Sequence, residues 1–167
     1  GKYMTSWGQF GTSHGSLNHP WGITTDNHNN VYVADWRNDR VEKFSISGDY
    51  LLTFGNDSGI LSRPSGVAVD PEGDVYVTGW GNNKVEIFDP NGNSITSFLG
   101  NAERLSKWGE ERVISNPDAV KARLRVPSLE PEWRFNRPTG ITVDAHGDIY
   151  VSDWGNNRVL MFNSVGE

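Results

Sequence analysis

One short pattern is written three times along this chain. It reads His19-Pro20-Trp21-Gly22-Ile23, then Val31-Tyr32-Val33-Ala34-Asp35-Trp36, then Arg40-Val41. It returns as Arg63-Pro64-Ser65-Gly66-Val67, Val75-Tyr76-Val77-Thr78-Gly79-Trp80 and Lys84-Val85. It returns again as Arg137-Pro138-Thr139-Gly140-Ile141, Ile149-Tyr150-Val151-Ser152-Asp153-Trp154 and Arg158-Val159. Pro20 and Pro64 lie 44 residues apart. A period of that length marks a repeat architecture, in which each unit shares its core with its neighbours.

The second copy is the most regular. Gly66 to Asp70 alternates as a strand should, and Pro71-Glu72-Gly73-Asp74 supplies turn chemistry. Val75 to Thr78 is a second strand. Lys84 to Phe88 is a third, with Val85 and Ile87 on one face and Phe88 on the other. Ser94 to Phe98 is a fourth. Four antiparallel strands joined by tight turns form a meander. A single meander cannot cover both of its faces, and repeats of this size stack radially as propeller blades. Strand one then lies nearest the axis. The loops between strands two and three share a face with the links between blades.

The pattern Pro-x-Gly-[Ile/Val], Gly-Asp-[Val/Ile]-Tyr-Val-x-Asp, Asn-x-Arg-Val and Phe-Gly resembles the NHL repeat family. The resemblance covers residues 19–55, 63–100 and 137–166. It implies an all-β fold, a β-propeller of NHL type with three four-stranded blades per chain, half of a six-bladed ring. Members of the family include lyases and lactonases as well as protein and RNA binders, so the resemblance narrows the fold far more than the activity.

Both ends depart from whole blades. Lys2 to Gly8 resembles Tyr50 to Gly55, so residues 1–8 read as a fourth strand with no blade before it. Residues 137–166 read as a blade without its fourth strand. Three blades are too few to close a ring. Two chains exchanging their N-terminal strands would close one of six, so a homodimer is expected, because native proteins cover open strand edges.

Thirty extra residues separate the second and third copies, and residues 101–136 read as an insertion. Asn116 to Leu124 reads as a short helix, with Asn116 as N-cap and Pro117 as its first residue. Ala102 to Trp108 offers another helical turn, and Leu105, Trp108, Leu124 and Trp133 are anchor candidates. Because it joins strand four to strand one, the insertion should emerge on the face of the strand two-to-three loops.

The totals exclude several classes. The chain has no cysteine, which removes disulfides and Cys-based zinc sites. Its formal charge of −6 argues against a phosphate-binding surface, so no nucleic-acid partner is expected. No apolar run approaches the roughly 18 residues of a membrane span, so no membrane partner is expected and the protein reads as soluble. Compartment is left open.

The expected ligand face comprises Trp36, Trp80 and Trp154, with Arg37, Arg63, Arg137 and His19. Equivalent indoles could ring the axis and stack on a ligand, or could pack against neighbouring blades. Asp35 with Arg40, and Asp153 with Arg158, flank equivalent hairpins and read as structural pairs. The second repeat loses both partners together, carrying Gly79 and Lys84. Asp26, Asp70 and Asp144 read as turn-fixing residues. His19 is the best acid–base candidate, while His14, His28 and His146 are scattered. No nucleophile motif, phosphate loop or zinc spacing is present, so no catalytic residue, metal or cofactor is assigned. The expected function is a non-catalytic scaffold recognising a peptide, protein or glycan. The alternative is a metal-dependent lyase or lactonase with a divalent ion at the central tunnel.

Overall fold

A computed structural model describes residues 1–56, 59–100, 115, 117 and 134–163. Eleven strands form three antiparallel sheets among the described residues. The first blade holds β1 (Pro20–Thr25), β2 (Val31–Asp35), β3 (Arg40–Phe44) and β4 (Tyr50–Phe54), in that spatial order. The second holds β5 (Pro64–Val69), β6 (Val75–Gly79), β7 (Lys84–Phe88) and β8 (Ser94–Phe98). The third holds β9 (Pro138–Val143), β10 (Ile149–Asp153) and β11 (Arg158–Phe162). The chain is all-β, and one-turn 3₁₀ helices at Trp36–Asn38 and Trp154–Asn156 are the only departures within the blades' described residues.

Period-two alternation sends apolar side chains to both faces of each middle strand. Tyr32 and Ala34 of β2 face the second blade and pack with Val67, Val75, Val77 and Phe88. Val31 and Val33, one residue out of phase, form a separate cluster with Phe44 on the other face. The second blade repeats the arrangement. Its Tyr76 and Val85 pack with Ile149, Val151 and Phe162 of the third. The two larger cores therefore each lie between two blades, and Leu61 and Phe135 plug the two junctions.

The first strands approach one another closely. A Cβ on Gly22 would lie 2.8 Å from the Cα of Gly66, and one on Gly66 would meet the backbone of Thr139 and Ile141. Glycine is required there because backbone atoms of the neighbouring blade occupy the space. Gly140, the third of the series, meets only the Ser152 side chain, at 3.5 Å.

Turns repeat as faithfully as strands. Asp26 accepts hydrogen bonds from the backbone N–H groups of His28 and Asn30 and from the Tyr32 hydroxyl. Asp144 does the same with the N–H groups of His146 and Asp148 and the Tyr150 hydroxyl, and Asp70 accepts from the Asp74 N–H and the Tyr76 hydroxyl. The aspartate closes the turn and satisfies a tyrosine hydroxyl that the core would otherwise strand.

Residues 1–9 form no strand in the single chain, in contrast to the fourth strand expected at 1–8. A ladder needs a third strand beside it, and this chain places none there. Residues Gly100–Arg134 form a compact unit separate from the blades. Of the helix expected over 116–124 only Pro117 is described, and it is helical; the rest, with Leu105, Trp108, Leu124 and Trp133, lies outside the described residues. Within the bladed unit, the Phe135 N–H donates to the Leu99 carbonyl at 2.7 Å.

Gly66→Ala should destabilise the chain by about 1–3 kcal/mol, because backbone must shift to admit the methyl group. Urea unfolding checks this, and an unchanged midpoint would contradict the close approach.

Candidate functional site

The residue before each first-strand proline has a left-handed backbone. His19, Arg63 and Arg137 have φ of 60°, 50° and 53°. Such a conformation is uncommon outside glycine and needs support from its surroundings. Support comes from the preceding blade. The Arg63 N–H donates to Asp39 Oδ1 at 2.6 Å, and the Arg137 N–H donates to Asn83 Oδ1 at 2.8 Å. Asp39 and Asn83 are themselves left-handed, a conformation their short polar side chains tolerate.

This backbone places each arginine against the indoles. The Arg63 guanidinium carbon lies 5.3 Å from the Trp36 ring centre and 5.5 Å from that of Trp80. Arg137 lies 5.0 Å from Trp80, and Arg37 lies 5.7 Å from Trp36. Trp36 and Trp80 meet edge to face at 6.3 Å, and Trp21 meets Trp36 at 5.7 Å. The result is an alternating ladder of indoles and guanidinium groups running from blade to blade. Cation–π attraction fixes the arginine planes at about 0.5–1 kcal/mol each in such exposed positions.

Five of the seven expected face residues thus come together: Trp36, Arg37, Arg63, Trp80 and Arg137. Trp154 is exposed and makes no such ring contact among the described residues. His19 is exposed and pairs its Nδ1 with Asn18 Oδ1 at 2.7 Å. Trp21 was not singled out from the sequence, because Ser65 and Thr139 replace it in the other repeats. Asp39 and Asn83 were missed as well. Their signal was a short polar residue at one spacing in every repeat.

Two clefts open along the ladder. One, of about 340 Å³, is lined by Trp36, Arg37, Asp39 and Arg63. The other, of about 510 Å³, is lined by Ser62, Arg63, Trp80, Gly81, Asn83 and Arg137. The second is larger where Gly81 replaces Arg37, and among the described residues no carboxylate lines it. Among the described residues no acidic side chain forms an ion pair with Arg37, Arg63 or Arg137.

Beneath the ladder, buried Asp35 organises the blade end. Its Oδ1 accepts from the Asn18 N–H at 2.6 Å. Its Oδ2 accepts from Asn38 Nδ2 at 2.6 Å and from Arg40 Nε at 3.0 Å. Arg40 also donates to the carbonyls of Thr12, Ser13 and Ser16 and meets Glu42 at 2.9 Å. The guanidinium therefore ties the 12–16 loop to the first blade. Asp153 repeats the set with the Asn136 N–H, Asn156 and Arg158. In the second blade the Asn82 side chain fills the space a Cβ on Gly79 would take, and its Nδ2 donates to the Ile60 carbonyl at 3.0 Å.

The opposite rim is acidic. Asp70, Glu72, Asp74 and His146 line a cleft there. Burial first, then repulsion from Asp70, Asp89 and Glu72, pushes the Asp74 carboxyl up. Burial opposes the charge of Asp26, but hydrogen bonds from Asn30, His28 and Tyr32 outweigh it and hold the carboxyl below its usual range. The His146 N–H leads the same effect at Asp144.

The NHL repeat model matches residues 17–44 and 135–162, and a β-propeller repeat model matches 52–85. The chain belongs to the NHL-repeat β-propellers. A search of curated proteins by sequence finds no match. Among solved structures this NHL propeller is similar to a streptogramin B lyase, with 18% identity and a TM-score of 0.60 over 90% of this chain and 39% of that one. It is similar to virginiamycin B lyase from Staphylococcus aureus, with 16% identity and a TM-score of 0.57 over 89% of this chain and 39% of the lyase. A chain of the nidogen/laminin complex matches with 20% identity and a TM-score of 0.55, over 89% of this chain and 44% of that one. These likenesses show the fold, and the chain spans about two-fifths of the length of each structure.

Asp35→Ala should cost about 3–5 kcal/mol, because it leaves Arg40 buried beside one fewer carboxylate. Urea unfolding measures the loss, and faster proteolysis within residues 12–16 should accompany it. The lowered carboxyls of Asp26 and Asp144 stabilise the fold fully above the unfolded-state aspartate pKa of about 3.9, and that stability is lost as pH falls through their folded values. Replacing both with Asn should therefore lower the urea midpoint at about pH 7, and the gap to the parent should narrow below about pH 4. A gap that stays constant with pH would exclude this role.

Proposed function

We propose that this propeller is a binding scaffold whose Trp–Arg face recognises an acidic peptide or an acidic segment of a protein. The observation that carries the reading is the second cleft, where Arg63 and Arg137 stand beside Trp80 with no carboxylate among the described lining residues. Stacking on indoles holds a guanidinium plane and leaves its N–H donors available for a carboxylate, which they bind with charge-assisted hydrogen bonds. Two such groups at one cleft suit a side-chain carboxylate with apolar carbon beside the indole. The overall charge of −6 would repel the same ligand elsewhere, so the basic rim steers its approach. Among the described residues no group of three or more His, Asp or Glu side chains could hold a metal ion. The lyase reading rests on fold likeness alone.

Tryptophan fluorescence provides the test, because Trp36 and Trp80 line the clefts. Titration with a glutamate-rich peptide should change the emission, and added salt should weaken binding. Arg63→Gln with Arg137→Gln should lower affinity at least about tenfold, the scale of losing charge-assisted hydrogen bonds. A response to a neutral peptide or an uncharged glycan but not to the acidic peptide would overturn the reading. So would full affinity in the double variant.

A further inference from the structure

On the rim opposite the Trp–Arg face, three turns repeat in shape but not in charge. Asp26 recurs as Asp70 and Asp144, and Tyr32 recurs as Tyr76 and Tyr150. Each tyrosine hydroxyl donates to the aspartate of its own turn. A third residue stands directly across the ladder from the tyrosine. It is Lys43 opposite Tyr32, Ile87 opposite Tyr76 and Met161 opposite Tyr150. Of these three positions, the first alone carries an ammonium group.

The first blade shows what the aspartate–tyrosine pair can hold. Lys43 Nζ lies 3.8 Å from Asp26 Oδ2 and 4.9 Å from the centre of the Tyr32 ring. The two side chains of this ion pair are only 15% and 8% exposed, so most water is excluded from it. One primary ammonium is thus bound by a carboxylate and by the face of an aromatic ring.

The second blade keeps this receptor and lacks the lysine. Ile87 brings no charge, and Glu72 and Asp74 stand where the first blade has His28 and Asn30. Between this turn and that of the third blade lies a cleft of about 350 Å³, whose lining includes Asp70, Glu72, Asp74, Tyr76 and His146. The aspartate and the tyrosine of the set both face into it. Among the described residues no lysine or arginine forms an ion pair with Asp70, Glu72 or Asp74. His146 on the far wall lies 3.8 Å from Asp144 of its own turn. The repulsion already felt at Asp74 from Asp70, Asp89 and Glu72 is one that an arriving positive charge relieves. Among the described residues no three such side chains converge as a metal site requires. That favours an ammonium on a carbon stem, held by a carboxylate and a ring, over a bare divalent ion.

We infer that the cleft between the turns of the second and third blades binds a primary ammonium group on an alkyl stem, in the place that Lys43 fills one junction earlier. The ammonium meets Asp70 and the face of Tyr76, while Glu72 and Asp74 supply the field that draws it in. Both walls of the cleft belong to this chain, and the site is separate from the Trp–Arg face. A lysine side chain of a peptide and a free alkyl amine share this chemistry.

Calorimetric titration of the whole chain with N-acetyl-lysine methylamide and, separately, with cadaverine tests the inference. Heat from the first alone assigns the site to peptide-borne lysine, heat from the second alone assigns it to free amines, and heat from both assigns it to the ammonium whatever carries it. The same lysine derivative acetylated on its side chain keeps the stem and loses the charge, and it should give no heat. The ring signals of His146 in NMR spectra should shift with the same midpoint as the heat. Glu72→Gln with Asp74→Asn, on an open turn, should weaken binding about tenfold. Ile87→Lys places a resident ammonium in the cleft and should also weaken binding at least about tenfold, with strand content by circular dichroism unchanged. No heat from either amine, equal heat from the acetylated control, His146 signals that stay still while heat is released, or parent affinity in the turn variant would each overturn the inference.

Discussion

A sheet that is apolar on both faces has to be covered twice. That requirement governs this protein more than any local preference. Tyr32 and Ala34 point one way from β2, and Val31 and Val33 point the other. Neither set can be hidden by the blade that carries it. Stacking solves the problem only while the next blade is present, so stability is shared along the series rather than held within a unit. The glycines at Gly22 and Gly66 follow from the same demand, because covering the faces draws the inner strands together until no Cβ fits.

The Trp–Arg rim is a by-product of the way blades are joined. Each link must turn from an outer strand to an inner one just before a proline. The left-handed residue that makes this turn throws its side chain onto the rim. With arginine there, and tryptophan one hairpin away, the rim becomes a ladder of alternating charge and ring. The interaction that fixes the turn, a short polar side chain capping the next blade's N–H, also sets the spacing of the rungs. Fold and surface chemistry thus share one set of hydrogen bonds.

The meander was legible because strands announce themselves by alternation and turns by Asp, Gly and Pro at fixed spacing. The turn role of Asp26 could be read from its place before Asn-His-Asn-Asn, and Asp35 and Arg40 could be linked because Gly79 and Lys84 depart together. The stacking of arginine between indoles could not be read. It depends on φ at Arg63, and the residue before a proline is expected to be extended rather than left-handed. The fate of the gap at Gly79 was equally hidden, because nothing in the spacing says that Asn82 would turn inward to fill it. Residues 1–8 show the difference between pattern and placement. Their likeness to Tyr50–Gly55 was visible, but a strand exists only beside another strand, and sequence does not say whose.

Departures from the repeat separate the rungs in chemistry. Arg37 and Asp39 give the first cleft a side chain that crowds it and a carboxylate that competes for its arginines. Gly81 and Asn83 at the same two positions leave the second cleft roomier and remove that competitor. Both second-cleft residues still satisfy the fold, since asparagine caps the Arg137 N–H as aspartate caps that of Arg63. The exchange of Asp for Asn therefore changes local charge by one unit without loosening the blade junction. Units of one pattern thus come to differ in local charge: the positions that hold the blade junctions tolerate two residue types, and the choice between them sets whether a carboxylate stands beside the arginines of a rung.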